Sequence, residues 1–134
     1  MIADMTMNSR ILVADDDPDL RLLFRRVLQR GGYEVIEADS GEQTLERALD
    51  SAPELILLDV MMPGLSGFDT CRRLKSDCRT DNVPVVFVTA RDDFASRTEG
   101  MRSGAAAYIS KPISPQNLIQ CVLNVLKGHN HRPD

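Results

Sequence analysis

The side chains in this sequence that could do chemistry together are the carboxylates of Asp15, Asp16 and Asp59, the hydroxyl of Thr89 and the ammonium of Lys111. Each stands at or just past the end of a short apolar run: Ile11-Leu-Val-Ala14, Leu55-Ile-Leu-Leu58, Val85-Val-Phe-Val88 and Ala106-Ala-Tyr-Ile109. Taken singly, each has a plain structural role. Asp16 and Asp17 can cap a helix, Asp59 can serve a turn, Thr89 has good strand propensity, and Lys111 can be a solvated cation. Brought together they would do more. Grouped carboxylates repel, and each holds its proton more tightly unless a cation neutralises them. An all-oxygen cluster open to water suits a hard divalent ion that keeps several waters, Mg²⁺ first and Mn²⁺ in its place. With a lysine and a hydroxyl at hand, one carboxylate could then attack a phosphoryl group whose oxygens the metal, the ammonium and the hydroxyl neutralise.

The apolar runs do not alternate, which is the pattern of strands buried on both faces of a parallel sheet. Arg10–Ala14, Leu55–Leu58, Val85–Thr89 and Ala106–Ser110 read this way, whereas Tyr33–Ala38 alternates and reads as an edge-like strand. Helical patterns separate them. Asp17-Pro18 supplies an N-cap acceptor and a proline at the first helical position. Leu20, Leu23, Phe24, Val27 and Leu28 then share one stripe, with Leu22 on the polar side beside Arg21, Arg25, Arg26 and Arg30. Gly31-Gly32 ends that helix. Ser40-x-x-Gln43 is a capping box that opens a second helix, with Leu45, Ala48, Leu49 and Ala52 inward. A third runs from Ser66 to Ser76 with Phe68, Cys71 and Leu74 inward, and a polar loop follows from Asp77 to Val83. The fourth, Asp93 to Ser103, is weak because Gly100 lies inside it. Ser114-Pro115 starts the last, with Leu118, Cys121, Val122, Val125 and Leu126 on one face.

Strands alternating with helices predict an α/β fold: one doubly wound domain with a parallel sheet covered on both faces. The boundaries read as a leader over 1–9, the domain over 10–127 and a polar tail over 128–134. Right-handed crossovers leave few topologies. In the strand order 2-1-3-4-5 the ligand crevice lies outside the C-terminal ends of strands 1 and 3. That rim collects Asp15, Asp16, Asp59, Thr89 and Lys111. Asp59, on the central strand, is the nucleophile by position.

The 134 residues suit a single domain, and the net charge of -4 offers no basic surface for nucleic acid or membrane. No apolar run is long enough to span a bilayer, and the N-terminus lacks the features of a signal peptide. Cys71, Cys78 and Cys121 form no CxxC pair and leave one odd, so they read as reduced thiols of a cytoplasmic protein.

Ile11-Leu-Val-Ala-Asp15-Asp16, Leu57-Leu-Asp59-Val-Met-Met-Pro63-Gly-x-x-Gly67, Val88-Thr89-Ala90 and Gly104-Ala-x-x-Tyr108-Ile-x-Lys111-Pro112 occur in this order. Together they make the chain from Arg10 to Lys127 resemble the receiver domain of bacterial two-component response regulators. The flavodoxin-like (βα)5 fold with order 2-1-3-4-5 is that family's own arrangement, so the strand order belongs to the resemblance and not to the pattern of runs alone. The resemblance implies that Asp59 accepts a phosphoryl group from a phosphohistidine on a histidine kinase or phosphotransfer protein. Asp16 and Asp59 would hold Mg²⁺ directly, with the backbone carbonyl of Met61 as a third ligand and Asp15 acting through a bound water. Thr89 and Lys111 would contact the phosphoryl oxygens, and Lys111-Pro112 would be a cis peptide. Thr89 and Tyr108 would form the switch, Tyr108 swinging inward as Thr89 moves.

The implied output face is the fourth helix, fifth strand and fifth helix. On it Arg97, Arg102, Ile119 and Leu123 are expected to meet an unidentified target protein. Leu22, with Ile113, is expected to dock the phosphodonor. Met61 and Arg91 flank the acceptor, so autodephosphorylation is expected to be slow, and no separate substrate is expected to turn over. A monomer or weak dimer without direct nucleic-acid contact fits this picture. An FMN-binding relative would want a glycine- and hydroxyl-rich loop where Asp15-Asp16-Asp17 stands. An aspartate-dependent phosphatase would want its acid/base two residues from the nucleophile on strand 1. A receiver-like interaction module working without phosphorylation, or the receiver part of a longer regulator or hybrid kinase, stays open.

Overall fold

The computed structural model describes residues 9–130. Its elements run β1 (Arg10–Ala14), α1 (Pro18–Arg30), β2 (Glu34–Ala38), α2 (Gly41–Ser51), β3 (Leu55–Leu58), α3 (Gly67–Ser76), β4 (Val85–Thr89), α4 (Phe94–Arg102), β5 (Ala107–Ser110) and α5 (Pro115–Asn130). All strand pairs are parallel, and the order across the sheet is β2-β1-β3-β4-β5. Residues 1–8 of the expected leader and 131–134 of the expected tail lie outside the described residues. Ser9 is not leader: its carbonyl accepts from the Glu34 amide at 2.9 Å and extends the β1–β2 ladder. Residues 128–130 are not tail either. The helix α5 runs through Gly128 to Asn130, since a single interior glycine costs a helix only about 1 kcal/mol.

The unbroken apolar runs have a direct structural reason. Successive residues of one strand feed opposite cores. Leu12, Ala14, Ile56, Leu58, Val85 and Phe87 pack with Ala48, Cys71 and Leu74 of α2 and α3. Ile11, Val13, Leu55, Leu57, Val86 and Val88 pack with Phe24 and Leu28 of α1 and Leu118 and Val122 of α5. Each fully buried Leu, Ile or Phe contributes about 1.5–3 kcal/mol.

The first two helices begin at the caps expected for them, and the next two are capped in the same way. Asp17, Ser40, Ser66 and Asp93 each accept an amide hydrogen bond within the first turn of α1, α2, α3 and α4. Two inward faces differ from the expectation. Leu23 is half exposed, at the margin of the stripe that Phe24 and Leu28 bury. In α2 the buried side is Gly41, Thr44 and Ala48, while Leu49 and Ala52 are exposed. A Cβ at Gly41 would run into the Thr70 hydroxyl and would lie 2.8 Å from the Leu65 carbonyl oxygen. The small-residue side of α2 is therefore drawn against α3, and Leu49 rotates outward. Ala52 caps the helix in the left-handed region, at φ 49°.

The edge strand β2 is tied down by arginines. The Glu37 carboxylate accepts from Arg21 at 3.0 Å and Arg25 at 2.6 Å, and its carbonyl accepts from Arg47 at 2.6 Å. The three cysteines are free thiols. Among the described residues no helix is long and apolar enough to cross a membrane.

Candidate functional site

Backbone bonds at the C-terminal sheet edge bring the reactive residues together. The Asp59 amide donates to the Ala14 carbonyl at 3.0 Å, which carries the β1–β3 ladder one residue further and sets Asp59 beside Asp15. The Lys111 amide donates to the Thr89 carbonyl at 2.9 Å, which does the same for β4 and β5. Behind Asp59 the chain must pass close to α3. A Cβ on Gly67 would strike the Asp59 carbonyl oxygen and lie 2.7 Å from the Val60 Cα. Only glycine lets the first turn of α3 close on this loop. Gly64, with φ 75°, supplies the left-handed turn leading there.

Asp15 and Asp59 are both buried and are bonded alike. In each, Oδ1 accepts the amide two residues on: Asp17 N–H to Asp15 and Met61 N–H to Asp59, both at 3.0 Å. These Asx turns fix both carboxylates and aim each Oδ2 at Lys111. The lysine Nζ bridges them, donating to Asp15 at 2.8 Å and to Asp59 at 2.6 Å. Burial pushes the Asp15 carboxyl up from its ordinary range, against the pull of the Lys111 hydrogen bond. Burial would lower Lys111, but the hydrogen bonds from its ammonium to Asp15 and Asp59, with their charges, hold it above its ordinary value. Thr89 is fully buried, and its hydroxyl accepts the Arg91 amide at 3.2 Å. The Lys111–Pro112 peptide is cis.

Asp16 stands apart. It is exposed and lines a groove of about 490 Å³ with Met61, Ser66 and Arg91. Lys111 joins Asp15 and Asp59, while the Asp16 side chain faces water. Among the described residues no three His, Cys, Asp or Glu side chains gather closely enough to cage a metal. The donors at this edge are nonetheless all oxygen, with neither imidazole nor thiolate. One or two carboxylates plus waters suffice for a hard ion such as Mg²⁺, so the residues present fit one.

Tyr108 is buried, its ring against Phe87 at 5.7 Å between centroids, and its hydroxyl donates to the Arg91 carbonyl. Arg97 lies over that ring, a contact no sequence pattern signals. Ile119 lines a groove of about 610 Å³ between α1 and α5 with Leu23, Arg26, Val27 and Arg30, and its Cδ1 lies against Gly31. Leu123 stands one turn on from Ile119 and is exposed. Leu22 is exposed, whereas Ile113 packs into the α1–α5 core. The α1–α5 groove contains neither. On α4 the exposed apolar groups are Phe94 and Met101, which the sequence reading passed over; Phe94 is 84% exposed.

A (βα)5 sheet whose C-terminal edge holds an acid–lysine–acid bridge beside a buried threonine defines a class of flavodoxin-like signalling domains. Residues 11–123 match the response regulator receiver domain, and the chain belongs to that family. It is 40% identical over 123 residues to the uncharacterized transcriptional regulatory protein YrkP of Bacillus subtilis (strain 168), covering 92% of this chain and 52% of YrkP. It is 34% identical to the protein PilH of Pseudomonas aeruginosa, covering 90% of this chain and 99% of PilH. The chain thus spans about half the length of YrkP and nearly all of PilH. Among solved structures, a putative response regulator from Chloroflexus aurantiacus J-10-fl superposes with a TM-score of 0.85 at 33% identity, covering 90% of this chain and 98% of that one. The family works in two-component signalling, binds Mg²⁺ at its phosphorylation site, and interacts with histidine kinases or phosphotransfer proteins and with downstream effectors.

Proposed function

We propose that Asp59 is the phosphoryl acceptor of this receiver. The observation that carries the reading is the Lys111 bridge: one ammonium bonded to Asp59 and Asp15 at the crevice of the sheet. The donor is a phosphohistidine on a histidine kinase or phosphotransfer protein. A carboxylate oxygen of Asp59 forms the new bond to phosphorus as the phosphorus–nitrogen bond breaks, and the imidazole leaves with the electron pair. Lys111, already within hydrogen-bond reach of Asp59, follows the negative charge onto the phosphoryl oxygens. Thr89, at the end of the neighbouring strand, exchanges the Arg91 amide for a phosphoryl oxygen as its hydroxyl turns to donate. Asp16, Asp59 and the Met61 carbonyl would hold Mg²⁺, with Asp15 reaching it through water. The ion supplies charge neutralisation of the transferring group.

The donor docks on the side of α1. Leu22 was the expected anchor, but the half-exposed Leu23 and the groove it lines with α5 make a broader apolar seat. The output passes through the α4-β5-α5 side, where Phe94 and Met101 are exposed. The protein acts in the cytoplasm, where its phosphodonor and its free thiols are at home.

The test is incubation with a small-molecule phosphodonor and Mg²⁺, read by intact mass. The wild-type protein should gain one phosphoryl group and Asp59→Asn none. A gain that persists in Asp59→Asn, or no gain in the wild type, overturns the assignment.

A further inference from the structure

Every polar atom of Asp15 is engaged. Its amide donates to the Ala38 carbonyl at 3.1 Å, Oδ1 accepts from the Asp17 amide, and Oδ2 accepts from Lys111. Its carbonyl accepts from the Arg21 guanidinium at 2.7 Å. Asp16 is the opposite case. It is exposed, and among the described residues its carboxylate has neither a hydrogen bond nor an ion pair. The aim of that carboxylate is therefore set by the main chain that carries it. The Asp15 carbonyl and the Asp16 amide belong to one planar peptide unit. A bond to the carbonyl thus fixes one of the two peptide planes that flank the Asp16 Cα.

Arg21 reaches back from the first turn of α1 across the β1–α1 loop. While one arm of its fork holds the Asp15 carbonyl, Nε donates to the Glu37 carboxylate at 3.0 Å. Its side chain is only 18% exposed, so little water competes for these bonds. The planar fork thereby ties the acidic loop to the edge strand β2. Arg25 supplies a contrast within the same cluster. It donates to the same Glu37 carboxylate at 2.6 Å, but among the described residues it makes no bond to the loop.

We propose that Arg21 is a positioning residue for cation binding: by holding the Asp15–Asp16 peptide, it keeps the Asp16 carboxylate at the groove it lines with Met61. This role rests on the reading of Asp16 as a cation ligand. Charge and position predict opposite signs. A guanidinium near a cation site repels the ion, so by charge alone its removal tightens binding. A group that orients a ligand from behind weakens binding when it is removed.

The test titrates the whole protein with Mn²⁺ and follows the free ion by its electron paramagnetic resonance signal. Arg21→Met should raise the dissociation constant about tenfold. Arg21→Lys should raise it less, since lysine keeps a donor but not the fork. Arg25→Met, which also takes a cation from Glu37, should not raise it. A second measurement needs no metal. The ¹⁵N order parameter of the Asp16 amide should fall from about 0.85 in the parent to below about 0.6 in Arg21→Met. In Arg25→Met it should stay at the parent value. Loss of support for β2 would move both methionine variants together, whereas positioning moves Arg21→Met alone. Should Arg21→Met not fold, Arg21→Lys carries the same comparison. Binding by the Arg21 variants as tight as the parent's or tighter overturns the role, as does an unchanged order parameter or an equal loss in Arg25→Met. A parent that takes up no Mn²⁺ overturns instead the reading of Asp16 as a ligand, and the metal-free order parameters still decide whether Arg21 holds the loop.

Discussion

Lys111 lets two carboxylates share a nearly dry corner of the sheet. Removing one partner of such a bridge strands the others, which costs more than the bridge itself contributes. Lys111→Met should lower the unfolding free energy by about 1–3 kcal/mol in urea titrations. An unchanged urea midpoint would show the bridge to be energetically idle. Met61 and Arg91 belong to this scale too. Both are exposed and line the groove next to Asp59, so both can obstruct water on its way to an attached phosphoryl group. The phosphoryl group should persist for minutes or longer, and Met61→Ala with Arg91→Ala should shorten its lifetime several-fold, followed by mass or by radiolabel decay. Asp15, Asp59, Thr89 and Lys111 were legible because each terminates an apolar run. The sharing of one ammonium by Asp15 and Asp59 was not, since no periodicity links residues so far apart in the chain. Arg97 is expected on a partner surface, and its place over the Tyr108 ring is a tertiary contact that no sequence pattern carries.

Among the elements, the existence and order of strands and helices followed from caps, prolines and glycines. The faces of the helices followed less well. In α2 the side turned inward is decided by the close approach of Gly41 to Thr70 and Leu65, a fact of tertiary packing that outweighs the count of leucines. The loop between β3 and α3 depends in the same way on Gly67. Its nearest obstacles are backbone atoms and not flexible side-chain ends, so Gly67→Ala should cost about 2–4 kcal/mol. Chemical denaturation reads that loss directly, and a cost under about 0.5 kcal/mol would show that the loop can yield. At the far end of α3, hydrogen bonds from the Arg79 side chain and amide hold Asp77 at about 2. A carboxyl depressed on folding adds stability above its unfolded value of about 4, and that stability is lost as pH falls toward 2. In Arg79→Ala, the Asp77 carboxyl followed by NMR should titrate closer to its ordinary value.

At the scale of the whole molecule, the parallel sheet with two cores was written in runs that fail to alternate, whereas the order of the strands came with the family likeness. An open sheet of this kind has two exposed rims. In β2 the ladder to β1 uses Glu34 and Ala38, whose amide and carbonyl bond Ser9 and Asp15, so Val35 and Glu37 turn their main-chain groups toward solvent. An outward carbonyl of this sort is a template on which a foreign strand can assemble. The Arg47 guanidinium already occupies the one on Glu37, and Arg21 and Arg25 crowd the same residue with charge. These arginines should therefore hinder edge-to-edge strand pairing. Concentrated Arg47→Ala, warmed below its melting point, should scatter light and bind thioflavin sooner than the wild type, although it retains its fold. Equal lag times would locate the protection elsewhere. A shorter lag for Arg47→Ala would mean that a side chain remote from the proposed phosphoryl site governs how long the protein stays in solution.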